Sequence, residues 1–530
     1  MLKDHLIVVS ILIGLIVTIF LYFNPILQEK KKSLYKKRDR EIVFNKLFWK
    51  KDPSSINRKT ILENDVLKIE VSNIGVKIYC IELKKFKYDK KHLMLSKEKS
   101  FLFDFYISLL SKKESTINTC YLNFTPKLKE ERDYLQLSFK SNLLEYVYIF
   151  RKKIHYGIDL YMRSKGHLKI KHVDINWRQK LLNLENGENP STKIFYSFGL
   201  KKRKISFFRG NRKKCLPYAN WFAFKQKFFA SILSTKKTLK KIHIESQSLK
   251  KKSFLKYFCI KSTLDSKENE INFSAMLYFS PLDFNFLKHI GGNLEKIIPF
   301  GCGILKCINK YFFLSIFKIL ENAPINYGLI IILITLLMKV VLFPIIYKQY
   351  KFNLIMNIIQ TELDHNSLNK QQDILDIYRE IGISPMSGVI YSFLQLTIFY
   401  SLLIFFPNLL NLRGKSFLWV EDLTYYDSIL ELPFRIPGYG DHVSFLTFIS
   451  ALVFFVYTYY SNISSTDFIT YYGLYILMLL FINNSASALS LYYIMANIIN
   501  IFFFFFIKHF IFLDENKIRK KIKKYKLKIF

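Results

Sequence analysis

The chain has 530 residues, half of them hydrophobic, and a formal net charge of +39. In a soluble protein that charge would point to nucleic acid. Here Lys, Ile, Phe, Tyr and Asn are in excess together while Gly is scarce at 18, the pattern of coding drift in an AT-rich genome, and no aromatic-basic RNA-binding motif or zinc-finger spacing accompanies it.

Leu6–Leu27 is an apolar stretch too long for a signal-peptide core, and no small-x-small cleavage site follows. It reads as a retained first span, followed by the Lys-rich linker Gln28–Arg40. From Ile61 to Leu282 the pattern has period two, as in Lys68-Ile-Glu-Val71, Leu135-Gln-Leu-Ser-Phe139, Ile158-Asp-Leu160, Ile242-His-Ile-Glu245 and Ile271-Asn-Phe-Ser-Ala275. Alternation of this kind means strands with one wet face. Many of them together imply an antiparallel β-sandwich large enough to bury its own core. The cysteines are Cys80, Cys120, Cys215, Cys259, Cys302 and Cys307; they form no CxxC and no metal-ligand spacing. Small buried hydrophobes is the plain reading of them.

Leu305–Glu321 is a short helix whose Lys306, Lys310, Lys318 and Glu321 share about half its circumference, which suits a helix lying on the membrane surface. Packing on the sheet domain is the alternative. Five further apolar spans follow, at 325–347, 388–410, 443–461, 468–484 and 487–512. Between the first two of these, 348–383 carries apolar residues at helical spacing around the turn Asn366-Ser-Leu-Asn369, an antiparallel helical hairpin.

The expected architecture is therefore a polytopic α-helical membrane protein of six spans, five of them forming a core bundle, with a large extracytoplasmic antiparallel β-sandwich domain. Its parts are the first span (1–27), the sandwich domain (28–304), an interfacial helix (305–321), the five-span core (322–512) and a basic tail (513–530). The tail region 508–530 has nine Lys/Arg against Asp514 and Glu515, whereas 411–443 has three Lys/Arg and five Asp/Glu. Positive charge stays inside, so both termini and the hairpin are expected in the cytoplasm and the sheet domain outside. The linker lysines alone break the rule.

No HExxH, GxSxG, P-loop or GxGxxG occurs, and the histidines form no ligand pair. Covalent catalysis, metal and cofactor are therefore not called for, and the chain does not read as an enzyme. What remains is polarity inside the spans. Lys339 stands mid-span, where a cation costs roughly 2.5–3.5 kcal/mol on insertion scales. Snorkelling to the nearer interface is the bland reading, but Tyr347 is eight residues on, about 12 Å of helix. Thr335 lies one turn before Lys339 on the same face. Gln395 sits in the third span; Ser490, Tyr493, Asn497 and Asn500 step by three or four along the last, making one polar stripe. Interhelical hydrogen bonds account for the asparagines and Gln395 as well as a functional role does. Thr335, Lys339 and Tyr493 together favour a shared wet cavity, since no acidic residue in any span neutralises the lysine.

These residues resemble the YidC family of bacterial membrane protein insertases, in its long form with an external sheet domain and in the version found in Bacteroidetes-type bacteria. Glu63-Asn-Asp-Val-Leu-Lys-Ile-Glu-Val-Ser-Asn-Ile-Gly75 resembles the opening strands of the external domain, and Trp221-Phe-Ala-Phe-Lys-Gln-Lys-Phe-Phe229 its Trp-x-Ala…Gln-x-x-Phe stretch. Asn326-Tyr-Gly-Leu-Ile-Ile-Ile, Lys339 and Phe343-Pro344 resemble the second span. Ser384-Pro-Met-Ser-Gly388 with Gln395 is similar to the entry of the third, and Leu489-Ser-Leu-Tyr-Tyr-Ile-Met-Ala-Asn497 to the last. Phe417-Leu-Trp-Val-Glu-Asp-Leu423 and Leu432-Pro-Phe-Arg-Ile-Pro-Gly-Tyr-Gly-Asp441 match the Bacteroidetes-like form.

The resemblance implies a hydrophilic groove open to cytoplasm and lipid. Lys339 would be the basic residue that attracts the translocated segment, and Thr335 and Tyr493 would touch substrate. Gln395, Ser490 and Asn497 would complete the lining. It implies nascent membrane proteins, the Sec translocon, the ribosome (through hairpin and tail) and the lipid bilayer as partners, and the bacterial inner membrane as location. Three positions depart from the family pattern. Lys339 replaces the commoner Arg, keeping the charge but not a bidentate fork; Tyr391 replaces Pro; Ser485-Ala-Ser-Ala-Leu489 replaces a Phe-Pro-x-Gly-Leu turn. From the residues alone, a small-solute transporter with an intramembrane anion site is the other reading.

Overall fold

The structure is a computed structural model that describes residues 58–362, 386–460 and 479–529, apart from short loop segments. The chain forms two compact units, one within Tyr35–Ile298 and the other within Pro299–Phe530. The expected first span, the linker after it, the hairpin beyond residue 362 and the expected span 468–484 as far as 478 lie outside the described residues.

The first unit is built from antiparallel strands. A four-stranded meander runs Lys59–Glu63, Leu67–Ser72, Ile78–Tyr88, Lys91–Ser96. A thirteen-stranded sheet is ordered Ser115–Asn118, Phe101–Leu109, Ile170–Leu182, Phe254–Leu264, Phe229–Lys251, Asn272–Pro281, Gly157–Ser164, Leu144–Arg151, Tyr134–Lys140, Thr125–Glu130. Arg212–Lys225 branches from Phe229–Lys251 and carries Lys193–Phe198 and Lys204–Phe208 beyond it. Alternation is what puts these residues into strands: in Leu144–Arg151 every second side chain is buried, the pattern of a sheet with one wet face.

The large sheet folds over on itself. Its 23-residue strand Phe229–Lys251 pairs with Asn272–Pro281 along Phe229–Thr235 and with Phe254–Leu264 from Lys240 onward. Between those halves the register slips, the four residues 235–238 facing Asn220 alone, and Lys241 takes a positive φ of 48°. A bulge of this kind bends its strand, so one strand serves two layers. Across them Trp177 stacks on Phe224 at 3.9 Å, and Phe101 meets Phe279 and Phe105 meets Phe273 edge to face. The strands expected from sequence are present; the single long bent strand was not foreseen.

The family-like motifs act locally. Buried Asn64 accepts from the backbone N–H groups of Val66 and Leu67 and donates to the carbonyls of Arg151 and His155, tying the meander to the large sheet. Trp221 Nε1 donates to the Gly292 carbonyl at 3.0 Å. Lys225, only 2% exposed, lies directly across from Lys193 in the strand pair. Burial first and that neighbouring cation second push its amine down to about 7. All six cysteines are free; Cys80, Cys120 and Cys259 are buried, as small hydrophobes would be, and Cys215, Cys302 and Cys307 are exposed.

The second unit opens with Gly303–Cys307, a π-helical turn Ile308–Phe313 and Leu314–Glu321. The helix thus starts two residues before the expected Leu305 and carries a π-turn the sequence did not announce. That turn presents Asn309 to the interior. Its amide donates to the carbonyls of Phe300 and Ser401 and its oxygen accepts from Ser401 Oγ. Ile304, Tyr311 and Ile319 remain exposed on the other side.

Four long helices follow among the described residues: α1 (Tyr327–Glu362), α2 (Met386–Asn408), α3 (Phe445–Tyr460) and α4 (Ser487–Ile529). Helices α1 and α4 both run on past the spans expected from sequence. Helix α1 continues past residue 347 through Pro344, so the expected first arm of the hairpin extends the same helix. Helix α4 runs on from 512 to Ile529, so the basic tail is its last turns rather than a separate segment. Neither junction contains a glycine or a turn sequence to end the helix. Among the described residues, Tyr327–Lys351 and Ser487–His509 are long and apolar enough to cross a membrane; Phe393–Asn408 and Phe445–Thr458 are shorter apolar helices.

Candidate functional site

The segment between α2 and α3 holds the starts of three helices. Phe417 packs so close to Gly328 that any side chain at 328 would strike its ring, which explains the glycine in Asn326-Tyr-Gly. Asn326 Oδ1 accepts from the Gly328 N–H, and Tyr327 OH donates to Glu321. Asp427 accepts from Ser444 Oγ and the Leu446 N–H at the start of α3. The Ser485-Ala-Ser-Ala stretch enters α4 through its backbone: the N–H groups of Ser487 and Ala488 donate to the carbonyls of Tyr425 and Leu423. Buried Asn483 accepts from the Ser444 N–H and donates to the carbonyls of Tyr439 and His442. These bonds satisfy part of the N–H set that a helix start leaves without intrahelical partners.

Helix α1 has two faces. Leu329, Leu333, Leu336, Leu337, Val340 and Val341 are exposed, whereas Ile330, Ile331, Ile334, Thr335, Met338 and Lys339 are buried. The exposed set is apolar, as a lipid-facing stripe must be. Thr335 is wholly buried and its hydroxyl donates back to the Ile331 carbonyl at 2.7 Å. Lys339, 4% exposed, sends its Nζ to Asn500 Oδ1 of α4 at 2.8 Å. Among the described residues that amide is the ammonium's hydrogen-bond partner, and an ammonium carries three donors.

The stripe of α4 is buried throughout: Ser490, Tyr493, Asn497 and Asn500 all lie within the helix packing. Tyr493 meets Phe399 of α2 edge to face at 5.8 Å and packs with Phe454 and Ile482. Gln395 is half-buried on α2, one turn before Phe399. Asn497 Nδ2 is buried with no acceptor in reach. The Asn500 carbonyl accepts from Tyr350 OH at 3.2 Å, and Tyr350 OH also reaches Tyr457 OH of α3 at 3.3 Å.

Of the residues singled out in sequence, the structure thus joins Lys339 to Asn500, a stripe member not among the expected groove residues. It joins neither Thr335 nor Tyr493 to the lysine by a hydrogen bond. Below this pair Ile346, Ile499, Phe503 and Ile507 form an apolar cluster. The signal for Asn500 was its place in the stripe; its pairing depends on the relative level of α1 and α4, which no local pattern carries. Among the described residues no group of three His, Cys, Asp or Glu side chains is arranged to hold a metal.

Comparison with known proteins bears on both units. Residues 59–315 match the family model described as YidC periplasmic domain, and residues 319–514 the model described as 60Kd inner membrane protein. The chain is 27% identical over 487 residues to the membrane protein insertase YidC of Parabacteroides distasonis, covering 83% of this chain and 76% of that one. It is 28% identical over 509 residues to that of Amoebophilus asiaticus, covering 90% and 85%. A crystal structure of an active YidC insertase aligns over 84% of this chain and 92% of its own at 15% identity and a TM-score of 0.32, too low to add to the argument. On the two family models and these relatives, the chain belongs to the YidC membrane protein insertase family.

Proposed function

We propose that this chain is a membrane protein insertase and chaperone of the bacterial inner membrane. It moves short polar segments of nascent membrane proteins across the bilayer and releases their apolar spans sideways into lipid. The observation that carries the reading is Lys339, a cation on the inner face of α1 held by a neutral amide and faced by no carboxylate within the apolar helices.

Carrying a polar segment across about 30 Å of hydrocarbon is uphill, because each desolvated polar group costs several kcal/mol. A wet groove between α1, α2 and α4 shortens the dry distance, and the ammonium offsets part of the desolvation of an acidic side chain. Lys339 supplies the charge, Thr335 and Tyr493 touch the segment, and Gln395, Ser490 and Asn497 supply hydrogen bonds. The client's apolar span then partitions into lipid, favoured by about 25 cal/mol per Å² of apolar surface. No nucleotide enters the cycle. The fold in this reading has six spans with both termini and the hairpin in the cytoplasm and the sheet domain outside. The basic end of α4 and the hairpin meet the ribosome, and the Sec translocon is the partner for larger clients. Family membership favours this reading over a solute transporter.

The test is insertion of a single-span client with an acidic translocated tail into liposomes holding the purified chain. Lys339→Glu abolishes insertion of that client on this reading. Unimpaired insertion by the variant would remove Lys339 from the mechanism.

A further inference from the structure

The contact between Lys339 and Asn500 has a consequence for how a client is captured. An amide oxygen carries only a partial charge, so Asn500 holds the ammonium in place without neutralising it. Two of the three ammonium donors have no protein acceptor among the described residues. One turn earlier on the same face of α4, Asn497 Nδ2 is a buried donor with no acceptor either. An anion with two oxygens is a group able to accept from both. Asn500 itself is fixed from its backbone side, since its carbonyl accepts from Tyr350 OH.

We infer that Asn500 is a placeholder. Its amide oxygen occupies the position on Lys339 that an Asp or Glu carboxylate of the translocated segment takes, and the arriving carboxylate displaces it while accepting a second hydrogen bond from Asn497. The exchange makes and breaks hydrogen bonds only. It keeps the cation hydrogen-bonded between clients, when a bare ammonium in the helix packing would be costly. A neutral holder also yields to a carboxylate, because the carboxylate adds charge–charge attraction to the hydrogen bond that the amide already makes with the ammonium. A resident carboxylate would not yield.

This inference rests on the proposed insertase activity, and the experiment separates the two. Asn500→Asp, Asn500→Ala and Lys339→Met are each reconstituted in phosphatidylethanolamine/phosphatidylglycerol liposomes. Insertion is measured for one client in two forms, with Asp or with Asn in its translocated tail; folding is checked by size-exclusion profile. Asn500→Asp places a permanent carboxylate on the lysine at almost unchanged volume. It is expected to lower insertion of the Asp client about tenfold, the low end of what a charge-assisted hydrogen bond is worth, and to leave the Asn client within twofold. Asn500→Ala, which removes the holder without adding charge, is expected to keep or raise insertion of the Asp client. If Asn500→Asp inserts the Asp client as the wild type does while Lys339→Met fails, the placeholder is wrong and the cationic groove stands. If Asn500→Ala fails as badly as Asn500→Asp, Asn500 is a packing residue and the inference is overturned. Normal insertion by Lys339→Met would overturn the underlying reading itself.

Discussion

Replacing Lys225 by Met is predicted to stabilise the external sheet domain and to remove the rise in stability that this amine contributes between about pH 7 and 10.5. Lys225 is buried to 2% exposure in the strand Arg212–Lys225, opposite Lys193. Its amine falls from the ordinary 10.5 to about 7, chiefly through burial. At about 1.36 kcal/mol per pH unit, the charged form is disfavoured in the folded domain by about 5 kcal/mol. The sign follows from proton counting. Between about pH 7 and 10.5 the unfolded chain holds a proton on this amine that the folded domain lacks, so stability rises with pH across that window. Below about pH 7 both states are protonated and the folded domain carries the whole cost. Met fills a similar volume without charge. For a domain of this size about 1 kcal/mol moves Tm by roughly 2–4 °C, so the variant should melt about 10–20 °C higher at pH 6 and converge on the wild type near pH 10. The assay is thermal unfolding of the full chain in detergent from pH 6 to 10, followed by near-ultraviolet circular dichroism of the Trp177–Phe224 stack. A Met variant that melts lower at pH 6, or shows the wild-type slope, would refute the argument.

Three further expectations concern the helical unit. Asn309→Leu removes three buried hydrogen bonds between the π-turn and the Phe300 and Ser401 backbones and hydroxyl; at about 0.6 kcal/mol each it should cost about 2 kcal/mol, read as a lower midpoint of heat-induced aggregation, with Ser401→Ala costing about a third as much. Gly328→Val drives a side chain into the Phe417 ring and should lower the same midpoint by several degrees, while Phe417→Ala in that background restores part of it; a harmless Gly328→Val would show that the loop does not brace α1. Asn483→Leu removes the side-chain hydrogen bonds to the Ser444 N–H and to the carbonyls of Tyr439 and His442, leaving Tyr439 only the amide of Asn484, and should speed hydrogen exchange in 439–446, with no change expected near Lys339.

Much of this architecture is legible from residue order because the two periodicities differ. Residues 67–71 and Leu144–Arg151 alternate buried and open positions, and the apolar lengths of 327–347 and 487–509 leave helix as the economical way to satisfy the backbone. What escaped is what depends on partners far away in sequence. The bend in Phe229–Lys251 is a register slip against Asn220, and Lys225 looks like any lysine of a lysine-rich chain until the neighbouring strands close over it. The π-turn at Ile308–Phe313 has no local signature; it accompanies the bond of Asn309 to Ser401, 92 residues on. In the candidate site the stripe Ser490, Tyr493, Asn497, Asn500 was visible as a face. Which member meets Lys339 was not, because that is set by how α1 and α4 lie side by side.

The central claim is that a single buried cation draws acidic segments across the bilayer. Its most direct test is the insertion ratio of the Asp-tailed client to the Asn-tailed client, measured in liposomes containing only wild-type chain or only Lys339→Met. The account predicts that the ratio falls about tenfold in the variant, with the Asn-tailed client inserting equally well in both. An unchanged ratio, with insertion above that of empty liposomes, would contradict it.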